Sequence, residues 1–469
     1  MRTYRILITA LLFLGILVTV ASLAWPQKAD LVLTHANIYT VDKNHPIAQA
    51  MAVRGNTIVY VGDTAGVQKW IGPRTRVADL GGKLVLPGFI DSHAHAASGV
   101  SELFEVPLYG LDTVEKYQQV LRDFVTKTPG LSALQGVGWI NSVFGEHGPT
   151  SAMLDEAILD IPVVLYSQDY HSVWANSLAV KQAGINAATP DPQGGVIERD
   201  EKGNPLGTFR ESAVSLVAGV IPPYSSSQIA QGLIYFQDYA HSLGITSVYI
   251  PSFPNGEENG LAALHDLEAS GKMTLRFPTA MAINPQDDLT IVDRILSRQK
   301  VEAGGYFEIA GAKIFMDGVL EGLTAYLEQP YTFKPESRGE LLWDPQKYNS
   351  FCAALDKTGL QVTVHSIGDA ATRISLDGFN YARQQNGKRD ARNMITHLQL
   401  VNENDIARFA DLNVIAVPQP YWHVVDIYFQ QTLTLPMSKD RGFSSSLMSN
   451  FGLCHKLYSV LKTGDTLNG

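Results

Sequence analysis

Cysteine is almost missing from this chain of 469 residues: only Cys352 and Cys454 occur. Two thiols cannot build a disulfide framework or a cysteine-based zinc site. Their scarcity suits a reducing cytosol and a periplasm equally, so it says nothing about compartment. Concentrated positive charge is missing too, since 36 Lys and Arg face 46 Asp and Glu, for a net charge of -10. That balance excludes a nucleic-acid surface, where phosphates must be neutralised by clustered cations. No glycine-rich phosphate turn follows any early strand, which argues against a doubly wound dinucleotide-binding sheet. Internal repeats and low-complexity tracts are also lacking.

A long apolar run occurs at the start. Arg2 and Arg5 precede an uncharged stretch from Ile6 to Trp25, and Pro26 follows. The stretch approaches the ~20 residues that span a bilayer. Ser22-Leu23-Ala24 offers the small residues that a signal peptidase reads. Residues 1–25 are therefore expected to be a cleaved export signal, which we favour, or an uncleaved anchor with its basic end inside. Either places the body outside the cytoplasm, periplasmic or extracellular, with membrane contact only through this segment.

With 45% of residues hydrophobic, the remainder is long enough for a barrel-sized core and a smaller domain. Residues 27–85 read as a small β-domain. Ala29 to Tyr39, Ala48 to Arg54, Thr57 to Val61 and Arg76 to Asp79 are short strand-like runs, punctuated by Asp42 to Pro46 and Gly55-Asn56. Farther on, helices and apolar strands alternate. Ser226 to Leu243 carries Ile229, Leu233, Phe236, Ala240 and Leu243 on one stripe, and Gly244 stops it. Strands are expected at Ile245 to Pro251, Leu275 to Ile283, Phe307 to Phe315, Gln361 to Ser366, Asn393 to His397 and Val414 to Pro418. Helices are expected at Pro285 to Glu302, Pro345 to Gly359 and Asn402 to Leu412. Such units predict an α/β fold: a (β/α)8 TIM-type barrel over 86–469, with a long, lid-like insertion at about 107–223 after the first barrel strand.

Chemistry-bearing residues fall at the C-terminal ends of these strands, where barrels keep their active sites. Phe89 to His95 reads as a strand whose alternation turns His93 and His95 the same way, suited to a transition metal. Lys313, His365 and His397 end three later strands. Alone, the lysine could be a snorkelling strand end and each histidine a satisfied core residue. The coincidence of four such features in one barrel favours a common site.

The chain resembles the amidohydrolase superfamily, in the family 3 branch that includes N-substituted formamide deformylases. The resemblance runs from about Ala29 to about Trp422. It rests on Leu86 to His95, Asp169 to Ser177, Lys313 to Gly318 with Thr324-Ala325, Val364 to Ala370, and Thr396 to Val401. It implies a metal-dependent hydrolase of non-peptide carbon–nitrogen bonds in a small amide or N-formyl substrate, working through a metal-activated hydroxide. It further implies that His93 and His95 bind one metal and His365 and His397 a second. Lys313 matches a position that often carries a carboxylated, metal-bridging lysine. The ion is expected to be divalent, zinc before iron or manganese, and one or two ions are compatible with the donors. Two ions ~3.5–4 Å apart could share a hydroxide and polarise a carbonyl. His171 matches a substrate-facing histidine, with a structural role in the insertion as the alternative. Asp317 and Asp369 are expected to support the site rather than ligate. A homodimer is the assembly allowed for.

Two positions depart from the family pattern. Relatives present a Ser-Asp pair at the eighth strand, whose aspartate binds metal and shuttles the proton. Here Phe451 to Tyr458 stands in that region, and Asp465 is a weak stand-in. Thr396 stands where relatives usually carry an acidic residue. A truncated or altered hydrolase, or a degenerate, non-catalytic binding protein, is therefore the alternative expectation.

Overall fold

The computed structural model describes residues 28–419 apart from 145–146, 169–171, 193–194, 212, 254–256, 303–304, 321–323 and 332–334. The apolar N-terminal stretch, His171 and Asp465 lie outside the described residues. Among the described residues no helix is long and apolar enough to cross a membrane. The chain divides into two compact units, with the boundary in sequence between Phe89 and Ile90.

In the first unit, a four-stranded sheet runs in the order Thr57–Gly62, Ala50–Arg54, Leu31–Thr34, Arg76–Asp79. A second sheet joins Ile47–Ala48, Asn37–Tyr39 and Leu84–Val85. The single strand expected from Ala29 to Tyr39 is thus two. His35 adopts φ 48°, a left-handed turn that passes the chain from one sheet to the other. Val32, Ala50, Ala52 and Val67 fill the core beneath the larger sheet.

From Phe89 onward the chain carries a succession of paired strands at Phe89–Asp91, Ile245–Val248, Phe277–Ile283, Phe307–Phe315, Gln361–Ser366, Met394–His397 and Ile415–Pro418. We refer to them as the first to the seventh. From the third to the seventh every pair is parallel. Isolated parallel bridges, Ser247 with Arg276 and Ile250 with Thr279, join the second to the third. Helices connect them, and their ends follow the local chemistry. Ser225 and Gln228 form a capping box for the helix Ser226–Ser242. Asp344 caps Pro345–Thr358, which Gly359 ends at φ 87°.

Side-chain contacts show that this sheet is rolled. Tyr249, Ala280, Ala310, Met394 and Val417 share one apolar cluster, although they come from or flank the second, third, fourth, sixth and seventh strands. The Tyr249 hydroxyl lies 2.7 Å from Thr363 Oγ1 on the fifth strand. A flat sheet spaces neighbouring strands by about 4.8 Å, so such contacts require the TIM-type curvature. The chain therefore has the mixed α/β, TIM-type fold. The outer helices pack against the apolar core around Leu264, Leu275, Ile295, Phe351 and Leu376.

The insertion is not a loose loop. Its strands pair in the order Gly195–Arg199, Pro205–Glu211, Ser172–Ala175, Val163–Ser167, Leu134–Trp139, Glu105–Pro107. One apolar cluster holds Tyr117, Trp139, Leu165 and Trp174, and a second holds Val164, Val173, Ile197 and Phe209.

Candidate metal centre

The first strand ends at Asp91, earlier than its sequence suggests, so the strand alternation expected for His93 and His95 does not operate. Asp91 Oδ1 accepts a hydrogen bond from the backbone N–H of His93 at 3.0 Å, a local turn that competes with strand pairing. Ala94 N–H then donates to Tyr249 O, just past the end of the neighbouring strand, at 3.1 Å, and Ser98 closes on the His95 carbonyl. Both histidines are held in a pinned turn instead of an extended strand.

Parallel register brings the remaining donors together. Phe315 is level with His365, His365 with Thr396, and Ser366 with His397. The rings of His93 and His95 lie 5.4 Å apart, those of His93 and His397 5.0 Å, and those of His365 and His397 4.5 Å. Imidazoles bound tetrahedrally to one zinc at about 2.0–2.1 Å would place their centroids roughly 5 Å apart. Among the described residues no three donors are already drawn into a tight cluster. The four rings therefore converge to about the right spacing without being closed on a point.

His397 and Leu398 adopt φ values of 73° and 51°, a left-handed conformation that costs non-glycine residues of order 1–3 kcal/mol each. Leu398 is buried and its N–H donates to Ser366 O at 3.0 Å, which holds the bend. Strain is thus concentrated where the sixth strand delivers His397.

Tautomers follow from the partners. His365 Nε2 lies 3.0 Å from the Gly318 carbonyl, an acceptor only, so Nε2 carries the proton and Nδ1 keeps the lone pair. Gln419 turns its amide oxygen to His397 Nδ1, leaving Nε2 as the lone-pair nitrogen of that ring. Gln419 directly follows the seventh strand and was overlooked in the sequence, although the strand-end rule that found His397 reaches it as well. Both ring nitrogens of His93 and Nδ1 of His95 are buried without a hydrogen-bond partner. Buried polar nitrogens left bare are costly, and a cation is a partner that would satisfy several at once.

Electrostatics keep these donors free of protons. Burial, reinforced by Lys313 and neighbouring histidines, lowers His93 to about 3. His365 falls to about 4 from burial against the opposing effect of the Gly318 carbonyl, and His397 to about 2 from burial and His365. His95 is lowered as well, chiefly by burial. Lys313, only 1% exposed, is pushed by burial to about 7. Its amine reaches Thr396 Oγ1 at a long 3.5 Å and lies 4.9 Å from the Phe315 ring centre. The Thr396 hydroxyl itself donates to Val364 O at 3.1 Å, so it offers the amine only a lone pair. Neutral imidazoles and a neutral amine are the states that metal ligation and amine carboxylation need.

Asp317 and Asp369 turn to the backbone. Asp317 accepts from the N–H groups of Tyr326, Ile367 and Gly368, and Asp369 from those of Glu328 and Ala370. Burial raises Asp317 to about 7 against the pull of its three amides. The structure therefore gathers His93, His95, Lys313, His365 and His397 at one end of the rolled sheet.

Residues 76–450 match the family described as the amidohydrolase family. The chain is 29% identical over 416 residues to the N-substituted formamide deformylase of Arthrobacter pascens, covering 84% of this chain and 73% of that protein. It is 28% identical over 393 residues to the putative amidohydrolase YtcJ of Bacillus subtilis, covering 83% and 72%. Among solved structures it resembles an uncharacterized metal-dependent hydrolase from Pyrococcus horikoshii, with TM-score 0.69 and 26% identity over 86% of this chain and 77% of that one.

Proposed function

The chain belongs to the amidohydrolase family, and from that premise we propose that it is a metal-dependent hydrolase cleaving a non-peptide carbon–nitrogen bond, amide or N-formyl, in a small molecule. The observation that carries the reading is the set of buried, unpartnered nitrogens on His93 and His95 beside three further proton-poor donors. His93, His95, His365 and His397 would hold one or two divalent ions, with zinc best suited to imidazole. Bound there, such an ion acts as a Lewis acid that polarises a carbonyl and acidifies water.

The chain's own residues prepare that chemistry. Gly318 O and the Gln419 amide fix which nitrogen of His365 and His397 is a lone pair. Lys313, lowered by burial to about 7 and so largely relieved of its proton above neutral pH, is suited to take up CO2: an N–C bond forms, one proton leaves, and a carboxylate donor replaces an amine. Phe315 beside His365 limits water around the ring. An eight-stranded closed barrel is the architecture this reading assumes, and the rolled seven-strand succession supports it. The basic, apolar start supports export as part of the same reading.

The test is amine release from a panel of N-formyl and N-acyl small molecules, with dipeptides and carboxylic esters as comparisons, on the full chain loaded with zinc. Chelator-sensitive turnover of amides or formamides, and not of dipeptides, is expected. Full metal occupancy with turnover of esters alone, or with no turnover, contradicts the reading.

A further inference from the structure

Asp317 ties the site together without facing it as a ligand. Its side chain is wholly shielded from solvent. Oδ1 accepts from Ile367 N–H at 3.0 Å, and Oδ2 from Gly368 N–H at 2.8 Å and Tyr326 N–H at 2.9 Å. Two of these amides open the turn after the fifth strand, immediately beyond His365. The third belongs to the segment that follows the fourth strand, which carries Lys313.

The same short stretch also touches the imidazole. Gly318 accepts from His365 Nε2 through its carbonyl at 3.0 Å, and Asp317 Oδ1 stands 3.9 Å from that nitrogen. Acceptor oxygens on this edge of the ring, the Gly318 carbonyl nearest, favour the proton at Nε2 and leave Nδ1 as the donor nitrogen. The surrounding backbone allows little rearrangement. A Cβ on Gly368 would lie 2.0 Å from Tyr326 O, and one on Gly318 would lie 2.1 Å from Thr324 Oγ1. Leu320, Ala325, Leu327, Tyr331, Ile367 and Leu400 back these segments with an apolar cluster of their own.

We propose that Asp317 is a positioning residue: by clamping the turns after the fourth and fifth strands it holds His365 in the Nε2–H tautomer with Nδ1 free for the metal, and so sets metal affinity. The inference rests on the metal-dependent reading above, but it assigns to the chain a control point that is not a ligand. Removing such a support from a metal-binding histidine typically weakens binding by roughly 10–100-fold.

The experiment compares the full-length protein with its Asp317→Asn variant. Asparagine is isosteric, yet it turns an NH2 toward at least one of the three backbone donors. Zinc affinity is measured by competition with a chromophoric chelator, and the visible spectrum is recorded after cobalt loading. Zinc bound roughly 10–100-fold more weakly, with an altered cobalt spectrum, is expected. Equal affinity and an unchanged spectrum overturn the positioning role while leaving the metal reading intact. Failure of the unmodified protein to bind zinc overturns the metal reading, and this inference with it. If the asparagine variant does not fold, the 15N resonances of His365 in the unmodified, chelator-stripped protein decide. The Nε2–H tautomer supports the clamp, and the Nδ1–H tautomer overturns it.

Discussion

Replacing His93 with alanine is expected to abolish tight metal binding at its site and to lower amide hydrolysis by a factor of roughly 10^2–10^4, the range that follows when several kcal/mol of carbonyl polarisation is lost. The size of the effect comes from position. His93 contacts the rings of both His95 and His397, so it links the first-strand pair to the later donors. It is also buried with neither ring nitrogen hydrogen bonded. Removing it takes away a donor that no neighbour replaces. The fold should tolerate the change, because an unpartnered buried imidazole stabilises the metal-free protein little. Metal content by elemental analysis, melting temperature and amine release, measured together, check this. Retained metal and retained turnover would remove His93 from the site.

Lys313→Met should act in opposite directions on stability and activity. Lys313 is buried on the fourth strand, and burial lowers its amine from 10.5 to about 7. Between those values the unfolded chain holds a proton that the folded chain lacks. The stability cost of this lysine is therefore fully present below about 7, shrinks as pH rises, and is gone above about 10.5. At about 1.4 kcal/mol per unit the cost is on the order of a few kcal/mol. A methionine of similar length removes it, so the chelator-stripped variant should melt several degrees higher at pH 7. The difference should narrow steadily toward pH 10.5. Hydrolysis should fall by at least about a hundredfold, since methionine can neither accept CO2 nor supply an oxygen donor. This is the stability–activity opposition expected of a strained functional site. Thermal melts across pH, set beside amine-release rates, check it. A variant less stable than the unmodified protein at pH 7, or equally active, would contradict the account.

Much of the fold was legible because apolar strands and capped helices leave local marks. Phe307–Phe315 and Gln361–Ser366 coincide with their expected bounds, being mostly apolar runs whose later residues are buried on both faces. The strand-end positions of Lys313, His365 and His397 were legible for the same reason, since position along a strand fixes which residue reaches its C-terminal end. The turn at His93 and His95 was not legible as a turn. Its cause is a side chain, Asp91, that bonds to the backbone two residues on, and the hydrophobic pattern does not record such a choice. The sheet within the insertion was obscured because its strands are short and separated by turn residues. The clamp at Asp317 depends on backbone amides from Tyr326, Ile367 and Gly368, which carry no side-chain signature at all. Partners of that kind become visible only once the chain is folded.

Zinc K-edge X-ray absorption on the loaded full-length protein tests the central claim most directly. The account predicts nitrogen scatterers at about 2.0–2.1 Å with the outer-shell pattern of several imidazoles, reduced in the His93→Ala variant. A first shell of sulfur at about 2.3 Å, or of oxygen without imidazole, would contradict it.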